Sequence, residues 1–136
     1  DSSVFTLSLH GARNYPFQKE SSDLDVPLAD GTGDAEYLDA LEAALDRALP
    51  ASGPDLVFFL AGADPYRGDR LGKLALTRDG LAQRDRLVFG RCAARAVPVA
   101  VVMAGGYCPD VEEIASIHLE TVGQAADQIA DLAHGP

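Results

Sequence analysis

The stretch DLVFFLAGADPYRGDRLG, from Asp55 to Gly72, decides the fold. Its first part, Leu56 to Ala61, is a short apolar run rich in Phe, which is typical of a strand buried on both faces rather than of a helix. Gly62 ends the run, and Asp64 follows closely. Polar chemistry is therefore expected just past the carboxyl end of a core strand, where open α/β sheets bind their ligands.

A second stretch repeats this arrangement. Val97 to Ala104 is again apolar, and two glycines separate it from Tyr107. The residues between the two strands, Thr77 to about Arg95, predict a helix. A right-handed crossover through this helix makes the strands parallel, so that their carboxyl ends lie at the same edge of the sheet. We therefore expect Asp64 and Tyr107 to face one crevice.

The remaining segments complete an alternating order of strands and helices. Val4 to Leu9 and Leu24 to Leu28 predict strands, the second at a sheet edge because Pro27 cannot donate to a ladder. Asp34 to Leu49 has a helical apolar stripe, and apolar residues recur at helical spacing after Pro109. This order predicts an α/β fold with a mostly parallel sheet and helices on both faces.

The two helices before the last carry specific predictions. Asp34 is placed to cap the first, and Pro50 is expected to end it. Thr77 or Asp79 is expected to start the second. Its predicted inward side chains are Leu81, Val88 and Cys92, and its predicted outward side chains are Arg84, Arg86, Arg91 and Arg95.

Composition limits the class of protein. With 136 residues, of which 47% are hydrophobic, the chain has the size of a single domain. Its net charge of -10 argues against a nucleic-acid partner. Two cysteines are too few for a disulfide framework. No signal peptide or membrane-length apolar run is apparent, so a cytoplasmic protein with no membrane partner is expected.

The residues alone leave the chemistry open. An Asp on a glycine-flanked loop serves as a metal ligand, a general base or a turn-former, and the last is commonest. Tyr107 either donates to an oxyanion or packs against its own loop. Tyr15 and Phe17, in the loop after the first strand, either line a substrate passage or pin the loop, and pinning is favoured. A zinc site needs three protein ligands, and the chain has no D-x-H or H-E-x-x-H motif.

Four segments together resemble a known family. They are SLHGARNYPF (Ser8 to Phe17), LDVPLADGTGD (Leu24 to Asp34), AGADPYRGDRLGKLALT (Ala61 to Thr77) and MAGGY (Met103 to Tyr107). In this order they resemble the carboxyl-terminal half of the histone deacetylase and acetylpolyamine amidohydrolase superfamily, most closely the bacterial relatives of class IV enzymes. The resemblance covers nearly the whole chain and implies the carboxyl-terminal portion of an arginase/deacetylase-like fold.

The resemblance assigns roles to individual residues. It makes Asp64 the last of three zinc ligands, with iron(II) as an alternative metal, and Tyr107 the phenol that polarises the acetyl carbonyl. Gly105 and Gly106 would shape the wall of the acyl-lysine tunnel. Phe17 or Tyr15 would supply its aromatic lining.

Further family positions have supporting roles. Ser8 and Leu9 match the strand that helps to hold a structural potassium ion in better-known members. Asp69 and Arg70 match the G-D-R-L-G run, and we expect them to shape the loop.

The chain also departs from the family. Nothing in it matches the paired histidines or the D-x-H ligands of the amino-terminal half. We therefore expect the carboxyl-terminal portion of a metal-dependent deacetylase, inactive alone, which acts on acetyl-lysine or acetylpolyamine once joined to the amino-terminal half of the same protein. The alternative is a non-catalytic binding or assembly module that keeps the half-fold and covers its apolar strands by homo-oligomerisation or by pairing with a separate amino-terminal chain.

Overall fold

The chain alternates strands and helices along its described length. The structure, a computed structural model, describes residues 1–133, with side chains through residue 130. Its elements are β1 (Leu7–Gly11), β2 (Leu24–Leu28), α1 (Asp34–Ser52), β3 (Val57–Gly62), α2 (Arg78–Ala93), β4 (Val99–Ala104) and α3 (Val111–Ala133). The predicted order is confirmed. None of the helices described is long and apolar enough to cross a membrane.

Within the described residues, the strands form two parallel pairs. β1 pairs with β2, with Leu9 opposite Val26. β3 pairs with β4, with Gly62 opposite Ala104. The predicted α/β fold with parallel strands is confirmed, and the register brings the carboxyl ends of β3 and β4 side by side.

The core lies between α1, α2 and the strands. Helix α1 buries one stripe, which includes Leu41, Leu45 and Leu49. It contacts β1, β2 and α2. The expected stop at Pro50 is wrong, because the helix continues to Ser52. Pro50 has no N–H to donate to the preceding turn, and the helix ends shortly after it, where the left-handed Gly53 (φ 52°) donates its N–H to Leu49 O.

Asp34 does not cap its own helix. The N-cap of α1 is Gly33, which makes no side-chain cap bond. The Asp34 carboxylate instead accepts hydrogen bonds from Thr77 N at 2.8 Å and from Thr77 Oγ1 at 2.6 Å. Thr77 Oγ1 in turn accepts from Gly80 N and caps α2 as predicted. The start of α1 is therefore fastened to the start of α2.

The two faces of β3 differ in burial. Phe59 packs edge-to-face on Phe89 of α2, with ring centroids 5.9 Å apart. Phe58 and Leu60, on the other face, are 66% and 65% exposed. The prediction that this strand is buried on both faces is therefore wrong for the described residues, because helices cover only the Phe59 face.

Arg84 lies inside the protein, although the sequence pattern predicts that it faces outward. Its side chain is only 3% exposed. Nε donates to Asp85 Oδ1 at 2.8 Å, and Nη1 donates to Gly62 O at 2.6 Å. Asp85 Oδ2 also accepts from Thr121 Oγ1 of α3 at 2.6 Å. Burial is tolerated because both charges are paired and hydrogen bonded.

Candidate functional site

The loops that follow β3 and β4 are joined directly. Ala63 is fully buried. Its N–H donates to Ala104 O at 3.2 Å and to Gly105 O at 3.1 Å. The first residue after β3 is thus bonded to the end of β4 and to the first residue of the next loop. These two hydrogen bonds place Asp64 beside the segment that leads to Tyr107.

The Asp64 carboxylate occupies space that two glycines leave free. A Cβ at Gly62 or at Gly105 would overlap Asp64 Oδ1. Gly105 also has φ 39°, a left-handed conformation that favours glycine. The two glycines therefore fix where this carboxylate can lie.

The electrostatic surroundings of Asp64 disfavour its charge. Burial raises the pKa of its carboxyl group, and the charge of Asp69 raises it further. A bond to its own backbone and the charge of Arg84 oppose this rise in pKa. A buried carboxylate of this kind gains from a bound cation, because a nearby positive charge favours the ionised form.

Asp69 connects the two loops. Its Oδ1 accepts hydrogen bonds from Leu71 N at 2.7 Å and from Gly72 N at 2.8 Å. Its Oδ2 accepts from Tyr107 N at 2.5 Å. The sequence predicts a loop-shaping role for Asp69, and these bonds match it. The contact with Tyr107 has no local sequence signal, because the two residues are 38 positions apart.

Gly72 brings the end of β1 to the same edge. A Cβ at Gly72 would overlap the carbonyl oxygen of Asp64. On its other side, a Cβ at Gly11 would lie 2.8 Å from Gly72 O. The carboxyl ends of β1, β3 and β4 therefore meet around the Asp64 loop, where parallel sheets place their sites.

Tyr107 is held by its backbone and presents its side chain to solvent. The side chain is 57% exposed. Its chain neighbours Gly105 and Gly106 have φ values of 39° and 143°, which give this segment a backbone that other residues rarely adopt. The contacts of Gly105 with Asp64 and of Asp69 with Tyr107 bring the two loops together, and a common crevice for the Asp64 and Tyr107 side chains stays a prediction.

Tyr15 and Phe17 form an exposed aromatic pair. They are 68% and 83% exposed. Their rings meet edge-to-face with centroids 6.4 Å apart. The expectation that these rings pin their loop to the body is wrong, because both rings are largely exposed. Polar contacts within the loop are present instead. Lys19 Nζ donates to Asn14 O at 2.9 Å and to Pro16 O at 3.0 Å.

Ser8 and Leu9 lie in β1, opposite Asp25 and Val26. Ser8 Oγ is hydrogen bonded to His10 Nδ1 at 2.8 Å. Burial and the charge of Lys19 lower the pKa of His10, against an opposing effect of Asp25. A lowered pKa favours the neutral imidazole ring, which bonds to the serine hydroxyl.

A metal ion would find only part of a coordination sphere in the described residues. Among the side chains that the structure describes, through residue 130, no group of three or more His, Cys, Asp and Glu is arranged to hold one. Asp64 fits the role of a single ligand, since its carboxylate is partly buried and receives no hydrogen bond from another residue of the described chain. Carboxylate oxygen is an accepted ligand for zinc and for iron(II).

Comparison with known proteins identifies the family. The sequence matches the histone deacetylase domain over residues 1–122. The chain belongs to the histone deacetylase family. The resemblance found in the sequence segments is therefore confirmed.

Individual relatives agree with this assignment. An uncharacterized protein of Picosynechococcus sp. is 47% identical over 118 residues, which cover 87% of this chain and 39% of that protein. Histone deacetylase 2 of Arabidopsis thaliana is 31% identical over 127 residues, or 91% of this chain and 33% of that enzyme. The chain thus spans 39% and 33% of the length of these curated relatives.

A solved structure confirms the fold. The acetylpolyamine aminohydrolase from Burkholderia pseudomallei superposes with a TM-score of 0.74 at 24% sequence identity. The match covers 90% of this chain and 37% of that structure. The predicted deacetylase-like α/β fold is therefore confirmed, and the chain covers part of it.

Proposed function

We propose that this chain supplies the carboxyl-terminal part of the active site of a metal-dependent deacetylase that hydrolyses N-acetyl amides. One observation carries the proposal: the Asp64 carboxylate lies against Gly105, in the loop that leads to Tyr107. A partly buried acid and an exposed phenol are thus presented by adjoining loops at the carboxyl edge of parallel strands. Family membership makes deacetylation the reaction to test at this edge.

Asp64 would be a ligand of zinc, with iron(II) as the alternative. When bound, the metal supplies a Lewis acid for the acetyl carbonyl and lowers the pKa of a coordinated water. The protein's part is to hold the Asp64 carboxylate in one orientation. Gly62 and Gly105 contribute because a Cβ at either position would overlap the Asp64 oxygen. Potassium is a second proposed ion, beside Ser8 and Leu9.

Tyr107 would donate its phenolic hydrogen to the oxygen that becomes negative when the amide is attacked. Gly105 and Gly106 would form the tunnel wall, since Gly105 lets the Asp64 carboxylate lie against the backbone and Gly106 continues the same segment. Tyr15 and Phe17 would line the approach. Their exposure, 68% and 83%, leaves both rings free to contact the acyl chain of acetyl-lysine or acetylpolyamine.

The remaining ligands and the proton-transferring histidines would come from the amino-terminal half of the same protein. The exposed face of β3 supports this proposal. Phe58 and Leu60 present apolar surface there, and contiguous apolar surface usually marks a contact site. The curated relatives are longer than this chain. The additional part of the full-length protein would pack against this face.

The test uses the full-length protein loaded with zinc and an acetyl-lysine peptide or an acetylpolyamine. Asp64→Asn keeps the shape of the side chain and removes its charge, so it should remove both activity and bound metal. Tyr107→Phe should lower kcat by about 100-fold to 1,000-fold and leave the metal content unchanged. Asp55→Asn, which alters an exposed acid just before β3, is the matched control. Wild-type activity in Asp64→Asn would overturn the proposal.

A non-catalytic binding or assembly module is the second candidate. The exposed apolar face of β3, with Phe58 and Leu60, favours it, because another copy of the chain can cover such a face. Calorimetric binding of an acetyl-lysine peptide to the zinc-loaded full-length protein, with no acetate released, would support this candidate. Release of acetate at a rate that depends on Asp64 would exclude it.

A further inference from the structure

One carboxylate holds both loops of the candidate site. Asp69 Oδ1 closes its own loop by accepting from Leu71 N and Gly72 N, at 2.7 and 2.8 Å. Asp69 Oδ2 reaches the other loop and accepts from Tyr107 N at 2.5 Å. Hydrogen bonds to an ionised acceptor are about twice as strong as those between neutral groups. Because Oδ1 binds the Asp69 loop and Oδ2 binds the Tyr107 loop, a substitution can change one contact and keep the other.

Among the described residues, the bond to Asp69 is the hydrogen bond that restrains the backbone of Tyr107 itself. Two glycines at φ 39° and 143° precede it, and glycine gives a backbone its widest freedom. The side chain of Tyr107 is 57% exposed, so packing fixes only part of it. The bond from the Tyr107 amide to Asp69 thus restrains the backbone from which the phenol side chain extends.

We propose that Asp69 is a positioning residue that sets the placement of Tyr107 relative to Asp64. The inference rests on the proposed function, in which Tyr107 donates to the developing oxyanion. Gly72, which Asp69 holds at one end, lies against the carbonyl of Asp64. Tyr107, which Asp69 holds at the other, lies two residues after Gly105, which contacts the Asp64 carboxylate. A single side chain thereby links both functional residues.

A purely local role for Asp69 predicts a different outcome, and Asp69→Asn separates the two. The amide oxygen of asparagine can keep both bonds to Leu71 N and Gly72 N. Its NH₂ group then faces Tyr107 N, where two donors meet and no bond forms. The opposite amide orientation would give up two bonds to keep one. The variant therefore breaks the Tyr107 contact and spares the turn.

The experiment compares Asp69→Asn, Tyr107→Phe and the double variant in the zinc-loaded full-length protein. Asp69→Asn should lower kcat by about 10-fold to 100-fold, the effect of misplacing a catalytic group by about 1 Å. The KM for the acetyl-lysine peptide and the zinc content should not change. The double variant should be no slower than Tyr107→Phe, since Asp69 acts through the phenol. Multiplicative effects in the double variant would overturn the proposal.

The control changes another acid near Tyr107. Asp110 Oδ1 accepts from Glu112 N at 3.0 Å and makes no contact with the Asp64 loop. Asp110→Asn should therefore leave kcat unchanged. A loss of kcat in Asp110→Asn equal to that in Asp69→Asn would show that any charge change near Tyr107 suffices, and would overturn the proposal.

Hydrogen exchange gives a readout that does not depend on activity. The Tyr107 amide should be protected in the unaltered protein and should exchange faster in Asp69→Asn, while the amides of Leu71 and Gly72 keep their protection. An unprotected Tyr107 amide in the unaltered protein would overturn the proposal even if the variant does not fold. If the unaltered protein shows no deacetylase activity, the proposed function fails, and exchange of the Tyr107 amide alone decides whether Asp69 holds it.

Discussion

Arg84 donates through Nη1 to the carbonyl oxygen of Gly62, two residues before Asp64, at 2.6 Å. The same guanidinium is paired with Asp85, which accepts from Thr121 of α3. A chain of buried polar contacts thus runs from α3 through α2 to the last residue of β3. The loop that carries Asp64 therefore begins directly after Gly62, whose position is restrained by contacts among β3, α2 and α3.

The first prediction concerns this buried pair. Arg84→Met removes the partner of Asp85, whose side chain is 1% exposed, and leaves a buried charge. We expect unfolding free energy measured in urea to fall by about 3–5 kcal/mol. Arg86→Met makes the same change on the exposed side of α2 and should alter stability by less than about 0.5 kcal/mol. The double variant Arg84→Met/Asp85→Leu should recover part of the loss. Equal effects at Arg84 and Arg86 would refute the assignment.

The second prediction pairs two glycines. In Gly72→Ala the new methyl group meets the carbonyl of Asp64, so the loop must shift, at a cost of about 1–3 kcal/mol. Zinc affinity in the full-length protein should fall with it. Gly90→Ala adds a methyl group in open space on α2 and should stabilise the protein by about 0.5–1 kcal/mol. Thermal unfolding checks both, and a shift of the same sign for the two variants would contradict the structure.

The third prediction addresses the contact between α1 and α2. Asp34→Ala removes the acceptor of Thr77 N and Thr77 Oγ1. A loss of about 1–2 kcal/mol is expected, as for a helix cap. Thr77→Ala removes one of these bonds as well as the cap on Gly80. The two losses should be less than additive in the double variant, because the residues share an interaction. Asp39→Ala, on the exposed side of α1, is the control, and strict additivity would argue against the contact.

The fourth prediction is a pH dependence at the start of β1. Bonds from Thr6 N and Thr6 Oγ1, each 2.8 Å, lower the pKa of Asp23 below its usual 3.8. Because the native pKa is the lower one, ionised Asp23 stabilises the fold above pH 3.8, and this contribution is lost as the pH falls through the native pKa.

Urea unfolding of wild type and Asp23→Ala as a function of pH tests this. The stability difference should be largest near neutral pH and should shrink in acid. Thr6→Val removes the hydroxyl donor and keeps the backbone donor, so it should reduce the effect without abolishing it. A difference that grows as the pH falls would show that the sign is wrong.

The sequence predicted the elements well because their signals are local. Apolar runs that end in glycine gave β3 and β4, and Thr77 marked the start of α2. The glycines after both strands also pointed to the edge where Asp64 and Tyr107 lie. Each of these inferences needs only neighbours along the chain.

Long-range partners had no such signal. Local sequence predicts that Asp34 caps its own helix, whereas its partner Thr77 is 43 positions away. Polarity alone assigns Arg84 to solvent, whereas Gly62 O, 22 positions away, accepts its hydrogen bond inside the protein. The apolar run likewise predicts that Phe58 is buried, but it does not identify the part of the protein that covers this side chain.

The last prediction uses two neighbouring phenylalanines of β3. Phe59 packs on Phe89 and lies under Arg84, whose guanidinium carbon is 5.4 Å from the ring centroid. Phe59→Ala should lower unfolding free energy by about 3 kcal/mol in this chain, whereas Phe58→Ala, on the exposed face, should change it by less than about 0.5 kcal/mol. In the full-length protein, the proposed packing against β3 predicts that Phe58→Ala becomes destabilising by about 3 kcal/mol as well. Urea unfolding of both forms measures the change, and a Phe58→Ala variant that stays neutral in the full-length protein would show that this face is not where the rest of the protein packs.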